Sequence, residues 1–319
     1  MTRTDIHKTL LGWLPVEWQE TMGTLRRYSL FGKKGAGNAI IACVDGTSFH
    51  GGLADRWKGI VSLYALAKAT GRDFRIRYTF PFDLTELQIP ANYDWRLREG
   101  EWSNRISHVC LKRVIGEPSF LRMVRLPQDK QIHCYANRDW LDEINTHYHT
   151  AYTWGNLFEE LFQPTEHVRK ALASYQAILP ESYIAVAFRL QNLFGDFTEY
   201  EYAPTNAARQ KEITQLCRSY LEQLYAEKKK PILVTSDSKL FSQEMADLPF
   251  VICSKGQAAH ADTTQDAPCE QYLKSFVDFY LLANAEEVYC AGTKEMYPSE
   301  FPQYAAKVHN RPFTRVRLD

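Results

Sequence analysis

The sequence predicts an α/β protein built on two doubly wound parallel sheets, and three observations predict it. Short buried-type apolar runs alternate with helix-period stretches through the second half of the chain, the same alternation opens the first half, and each intervening helix is long enough for the right-handed crossover that joins parallel strands. At 319 residues there is chain for two such units, each with its own core. The expected division is an N-terminal α/β domain over residues 1–165, carrying an irregular insert, and a C-terminal Rossmann-like domain over 166–319.

In the first half, AIIACVD (39–45) reads as a strand. Leu53, Trp57, Ile60, Val61, Tyr64 and Ala65 then mark one helical face, which Gly71 stops before the strand-like DFRIRY. An aromatic insert follows, with YDWRLREGEW (93–102) as its example, and a linker is expected near 155–182, with a helix in part of it marked by Phe158 and Leu161. The second half is more regular. YIAVAFRL (183–190) is a buried-type strand, and Ile213, Leu216, Cys217, Tyr220, Leu221, Leu224 and Tyr225 give the run from Pro204 to Lys230 an amphipathic helical period. The triple Lys228, Lys229 and Lys230 ends that helix where cations suit the negative end of the dipole. PILVT (231–235), PFVICS (249–254) and EVYCAG (287–292) are the following strands, with QYLKSFVDFYLLANA (271–285) and SEFPQYAAKV as helices between and after them.

Ligands of doubly wound sheets sit beyond the carboxyl ends of the strands. Arg189, the turn of Ser236, Asp237 and Ser238, and the loop after Gly292 are therefore expected to converge on one crevice. An arginine ending an otherwise apolar strand must meet an anion or water, which makes Arg189 a candidate phosphate clamp. Asp278, between Phe276 and Phe279 on a helix, is a carboxylate close to an apolar face, and a guanine edge offers it a paired N1–H and N2–H. Taken alone, each is more often one half of a structural ion pair than a site. HGGLADRWKG (50–59) places two glycines between a strand and a helix, where backbone N–H groups can face an anion.

Other chemistries have little support. There is no G-x-G-x-x-G, and GKKGAGN (32–38) lacks the order of a P-loop. His147 and His149 alternate as strand neighbours would, with no third ligand at compatible spacing. The seven cysteines form no CxxC pair and suit a reducing compartment, and 38 basic side chains balance 38 acidic ones, so no bulk field draws nucleic acid. No stretch reaches eighteen apolar residues, and the patch within the first twenty residues is too interrupted for a signal h-region. A cytoplasmic protein is expected, without a membrane span and with peripheral association with a membrane surface left open.

Three stretches, in order, resemble the inverting GDP-fucose-dependent fucosyltransferases of GT-B fold, the group that includes α1,2-, α1,6- and protein-O-fucosyltransferases. GGLADRWKGIVSLYALAKATGRDF (51–74) resembles their N-terminal glycine motif, IAVAFRLQNLFGDF (184–197) the strand ending in H-x-R-x-x-D, and DFYLLANAEEVYCAGTKEMYPSEFPQYAA (278–306) the D-x-x-L-L-S block with its S-x-F. Ala187 stands where the family has His, and Ala54-Asp55 where it has Gly-Asn. The acidic position after the arginine is Asn192 by count or Asp196 by the Gly-Asp dipeptide.

The resemblance implies two Rossmann-like domains facing across a cleft and transfer of fucose from GDP-fucose to a glycan hydroxyl, with no metal and no other cofactor. Transfer of another nucleotide-bound sugar, or a non-catalytic GDP- or glycan-binding module, are the alternatives. Residue by residue it implies Arg189 on the β-phosphate, Asp278 on guanine, and Ser299 and Phe301 of the S-x-F motif lining the diphosphate site; Tyr297, Asp196, Ser236 and Asp237 are further candidate substrate-binding residues. Gly51, Gly52 and Arg56 are the acceptor-side candidates, and Asp55, a carboxylate opening the helix where the family has Asn, is either the base or a helix cap paired with Arg56 or Lys58. The glycines of HGGLADRWKG would then let backbone approach the acceptor sugar rather than cradle a phosphate.

Overall fold

The computed structural model describes residues 22–197, 203–256, 258, 261–262 and 269–319, so the apolar patch of the first twenty residues lies outside the described part. The chain forms two compact units. The described residues as far as Gly51, with Asp55–Phe80 and Tyr93–Thr153, make the first; Gly52–Ala54, Pro81–Asn92 and Trp154–Asp319 make the second. Both are α/β with parallel sheets, as the alternation of elements predicts.

The first unit holds a four-stranded sheet of β1 (Ile40–Val44), β2 (Phe74–Tyr78), β3 (Val109–Arg113) and β4 (Gln131–Tyr135), in the order β2-β1-β4-β3 and parallel throughout. All five residues of β1 are buried, which is why IIACV reads as a continuous apolar run. Helix α1 (Leu53–Thr70) crosses from β1 to β2 and buries Trp57, Ile60, Val61, Tyr64 and Ala65. It packs so closely on the chain after β4 that a Cβ on Gly59 would lie 2.1 Å from the Ala136 carbonyl oxygen, so glycine is required there. His147 sits in helix α2 (Leu141–Tyr148) and His149 ends it in the left-handed region at φ 56°, which corrects the strand expected from their alternation. The helix forms because Leu141 and Ile144, three apart, share one buried face.

The second unit holds a five-stranded parallel sheet of β5 (Ile184–Phe188), β6 (Ile232–Ser236), β7 (Val251–Cys253), β8 (Val288–Gly292) and β9 (Phe313–Arg317), in the order β9-β8-β5-β6-β7. Four of the strands coincide with the apolar runs. β9 does not, because it is an edge strand whose residues stay largely in solvent and carry no buried run. The stretch expected as a linker is instead helix α3 (Trp154–Leu161), an antiparallel pairing of Phe162–Pro164 with Gln88–Pro90, and helix α4 (Glu166–Gln176). Trp154, Phe158 and Leu161 are buried in this unit, with Phe158 against Phe279 and Trp154 against Tyr304. Helix α5 (Ala207–Lys228) is capped by Asn206, two residues after Pro204, and ends with Lys229 in the left-handed region. Helices α6 (Lys239–Met245), α7 (Glu270–Asn284) and α8 (Phe301–Val308) complete the unit.

Candidate active site

In the second unit strand order reverses at β5, whose sequence successor β6 lies on one side and β8 on the other. The crevice of such a sheet opens at that switch point, beyond the carboxyl ends of the strands. Arg189 is the first residue after β5, Asp237 the first after β6, and Tyr297 lies in the loop after β8. These three are joined. The Arg189 guanidinium donates through NH1 to Asp237 Oδ2 at 2.8 Å, and the Tyr297 amide donates to the Arg189 carbonyl at 3.1 Å.

Asp237 is the organiser of this corner. Besides Arg189 it accepts from the Leu190 amide at 2.8 Å and the Gln191 amide at 2.7 Å, and it is almost wholly buried. Burial pushes its carboxyl up from the usual range while Arg189 and the two amides pull it down. Gln191 is held at φ 53°, a conformation that costs a non-glycine residue energy and that Asp237's grip on the two amides stabilises. The guanidinium plane also stacks on the Phe197 ring, 4.6 Å from its centroid, and the Arg189 side chain keeps 20% of its surface exposed. Arg189 is thus a cation held by Asp237 and Phe197 and partly exposed.

Asp196 Oδ2 accepts from Ser238 Oγ at 3.1 Å and from the Leu240 amide at 2.8 Å, so the Gly-Asp dipeptide brings its carboxylate to the start of α6. Ser236 Oγ accepts from the Ser238 amide at 3.1 Å. Ser299 Oγ accepts from the Phe301 amide at 3.2 Å, and helix α8 begins at Phe301, two residues later than an N-terminus at Ser299 would require. Phe301 packs edge-on against Phe279, whereas Tyr297 is half exposed.

Asp278 lies elsewhere in the unit, on α7 and near the end of β7. Its Oδ2 accepts from Lys274 Nζ at 2.6 Å, and the same ammonium donates to Ser254 Oγ at 2.7 Å. Both members of the pair are buried. Burial raises the Asp278 carboxyl and Lys274 opposes it. Asp278 Oδ1 is buried with no hydrogen-bond partner among the described residues. The four-residue spacing of Lys274 and Asp278 is the helical ion-pair signal that identifies the partner of Asp278.

The glycine motif lies at the start of α1, where Gly51 and Asp55 belong to the first unit. Gly51 adopts φ 86°, and a Cβ there would lie 2.5 Å from Asp55 Oδ2, so glycine is needed both for the turn and for the carboxylate that folds back on it. Asp55 pairs with Lys58 at 2.5 Å and is 37% exposed at its side chain, while Gly52 opens the helix beside it. Arg56 is wholly buried. It donates to the Tyr78 hydroxyl at 2.9 Å and the Phe80 carbonyl at 2.8 Å. His50, just before the glycines, sets both ring nitrogens 2.9 Å from carbonyls, those of Ser48 and Cys43, and burial first and Arg56 second lower its pKa to about 4.

The same end of this sheet holds a cluster that the sequence reading did not single out. Asp45, next after β1, takes Arg27 NH1 at 2.7 Å, Arg77 NH1 at 2.6 Å and the Tyr135 hydroxyl at 3.0 Å on Oδ2, and Thr47 Oγ1 at 2.6 Å on Oδ1. An acid ending an apolar strand ahead of a glycine was the available signal; Arg27 and Arg77 reach it from 18 and 32 residues away. Among the described residues no group of three His, Cys, Asp or Glu side chains is arranged to hold a metal ion, and no helix is long and apolar enough to cross a membrane.

No family model and no curated protein matches the sequence. Solved structures do match the fold. A variant of Arabidopsis thaliana FUT1 in complex with GDP aligns over 92% of this chain and 74% of its own, with a TM-score of 0.58 and 13% identity. NodZ α-1,6-fucosyltransferase soaked with GDP-fucose aligns over 86% and 93% at TM-score 0.51 and 15% identity, and NodZ from Bradyrhizobium over 85% and 93% at 0.50 and 15%. The chain has the fold of these fucosyltransferases. This GT-B-like fold is the one the three sequence stretches imply, and it matches over most of the chain.

Proposed function

We propose that the protein is an inverting glycosyltransferase that moves fucose from GDP-fucose to a hydroxyl of a glycan acceptor, without a metal ion. The observation that carries this reading is Arg189, preoriented by Asp237 and Phe197 at the switch point of a sheet whose fold is shared with GDP-bound fucosyltransferases. As the bond from the anomeric carbon to the β-phosphate oxygen breaks, negative charge grows on the departing GDP. A fixed guanidinium stabilises that charge without having to reorganise. Asp278 is the proposed guanine reader: its Oδ1 supplies the acceptor that N1–H and N2–H need, and Lys274 fixes the carboxylate through the other oxygen.

The reading is tested by melting curves with GDP, GDP-fucose, UDP and CMP. GDP and GDP-fucose are expected to raise the melting temperature, by an amount that follows ligand excess over Kd, and UDP is not. EDTA is expected to leave turnover unchanged. Equal stabilisation by UDP would move the donor to another nucleotide sugar, GDP binding without turnover on any glycan would leave a binding module, and activity lost to EDTA and restored by manganese would end the metal-free mechanism.

On the acceptor side the proposed base is Asp55, which takes the proton of the attacking hydroxyl. Asp55→Asn keeps the side chain's shape and much of its capping capacity but cannot accept that proton. The variant is expected to bind GDP normally, melt near the wild-type temperature and lose kcat by about 100-fold. Unchanged kcat would move the role to Asp196, to Glu199, which lies outside the described residues, or to deprotonation of the acceptor by solvent, and a large loss of stability would make Asp55 a helix cap.

A further inference from the structure

The first unit carries an apolar projection that neither its core nor the proposed chemistry uses. In SLFGKK (29–34) Phe31 is 91% exposed and Leu30 70%, and Ile106 on the adjoining segment is 42% exposed. The projection is not a loose end. The Ser29 amide donates to the Asn104 carbonyl at 2.8 Å, the Ile106 amide to the Ser29 carbonyl at 3.0 Å, and the Asn104 amide to the Lys33 carbonyl at 3.1 Å. Lys33's own amide donates to Asn104 Oδ1 at 2.6 Å, and the Phe31 amide to Ser29 Oγ at 3.2 Å, which pins the turn from both sides. The chain therefore holds two of its largest apolar side chains out in water on a clamped turn, which soluble surfaces rarely do in contiguous groups.

Cations flank this tip. Lys33 and Lys34 follow it directly and are exposed, as is Arg26 just before it, and Arg105 adjoins Ile106. Lys34, Arg105 and Lys130 face His108 closely enough that, after burial, they push its pKa down, with Asp129 as the opposing acid. The whole chain is electrically neutral, with 38 basic and 38 acidic side chains, so this local excess is a segregation of charge rather than a general property.

We propose that the Leu30–Phe31 tip, with Ile106 and the surrounding Arg26, Lys33, Lys34, Arg105 and Lys130, is a docking surface for an anionic lipid bilayer. The apolar side chains enter the interfacial region and the cations hold the headgroups, a two-signal attachment in which neither part suffices alone. A short projecting turn ringed by cations suits a deformable anionic surface, which can surround it from all sides. The proposal does not depend on the reaction the protein catalyses.

The test is co-sedimentation of the full chain with vesicles of phosphatidylcholine alone and of phosphatidylcholine with added phosphatidylglycerol. Binding is expected to the anionic vesicles, to weaken as salt is added, and to be slight with phosphatidylcholine alone. The Leu30→Ser, Phe31→Ser double variant and the Lys33→Glu, Lys34→Glu double variant are each expected to lower the partition coefficient by about tenfold or more. All four residues are exposed, so melting temperatures and GDP binding should match wild type, which separates this result from any failure of the catalytic reading. The proposal is overturned if the wild-type chain ignores anionic vesicles, if either double variant binds them like wild type, or if sedimentation velocity shows a dimer that Leu30→Ser, Phe31→Ser dissolves.

Discussion

Replacing Arg189 by alanine is expected to lower kcat by about 100-fold or more, the scale seen when one preorganised donor is removed from a developing negative charge. The side chain has few ways to be replaced. Its position is set by Asp237 on one edge and Phe197 on one face, and its planar fork can meet a phosphate with two parallel N–H bonds. Arg189→Lys should reach Asp237 but supply only a point charge, so it is expected to recover little of the loss. The measurement is GDP release at saturating donor with a panel of glycan acceptors, beside a GDP titration of each variant. Near-wild-type kcat in Arg189→Ala would place leaving-group stabilisation on another residue.

The largest effect on stability is expected at Asp45. Asp45→Ala leaves two guanidiniums and the Tyr135 hydroxyl without the carboxylate they share, and it removes the Thr47 contacts that shape the loop after β1. Removing one partner from a buried charge network costs about 3–5 kcal/mol. Arg27 and Arg77 keep 36% and 26% of their side-chain surface exposed and can rehydrate in part, so the cost should fall near the lower end of that range. Urea unfolding followed by tryptophan fluorescence measures it as a shift in midpoint, with the unfolding of each unit treated as its own transition. Asp45→Asn, which keeps the shape and some acceptors, should lose less. A midpoint unchanged in Asp45→Ala would mean that the two arginines are held by their own packing, such as that of Arg77 on Trp102.

What could be read in the sequence was whatever its own segment determines. The apolar runs of β1, β5, β6 and β8 are buried almost throughout, so sequence alone marks them, and the position of Arg189 at the end of β5 follows from its strand. The strands VCLKR and QIHCY stayed unread for different reasons: VCLKR is an edge strand with only Val109 buried, and the buried polar groups of QIHCY are satisfied from far along the chain. Gln131 donates to the Ala36 carbonyl 95 residues away and accepts from the Ser103 amide, and His133 meets the Tyr28 hydroxyl across 105 residues. A polar residue inside a strand looks like a loop until such partners are known. The same reason hid Asp237's grip on the Arg189 loop, which spans 46 to 48 residues.

The path of the chain between the two units limits how the molecule can be dissected. Pro81–Asn92 belongs to the second unit although its flanks, Asp55–Phe80 and Tyr93–Thr153, belong to the first. There it lays Phe82 on Tyr272 and Phe276, pairs Gln88–Pro90 with Phe162–Pro164, and has Gln88 donate to the Tyr280 hydroxyl at 3.0 Å. A gene fragment beginning at Trp154 would thus lack a strand and an aromatic plug of its own core, and would present Tyr272 and Phe276 to other chains as a sticky surface. On the ribosome the plug emerges long before the helix it covers, so it must wait through the synthesis of the rest of the first unit before it has anywhere to dock. No single cut separates this protein into two working halves; a recombinant second half needs residues 81–92 returned to it, as a peptide or through a rearranged chain order.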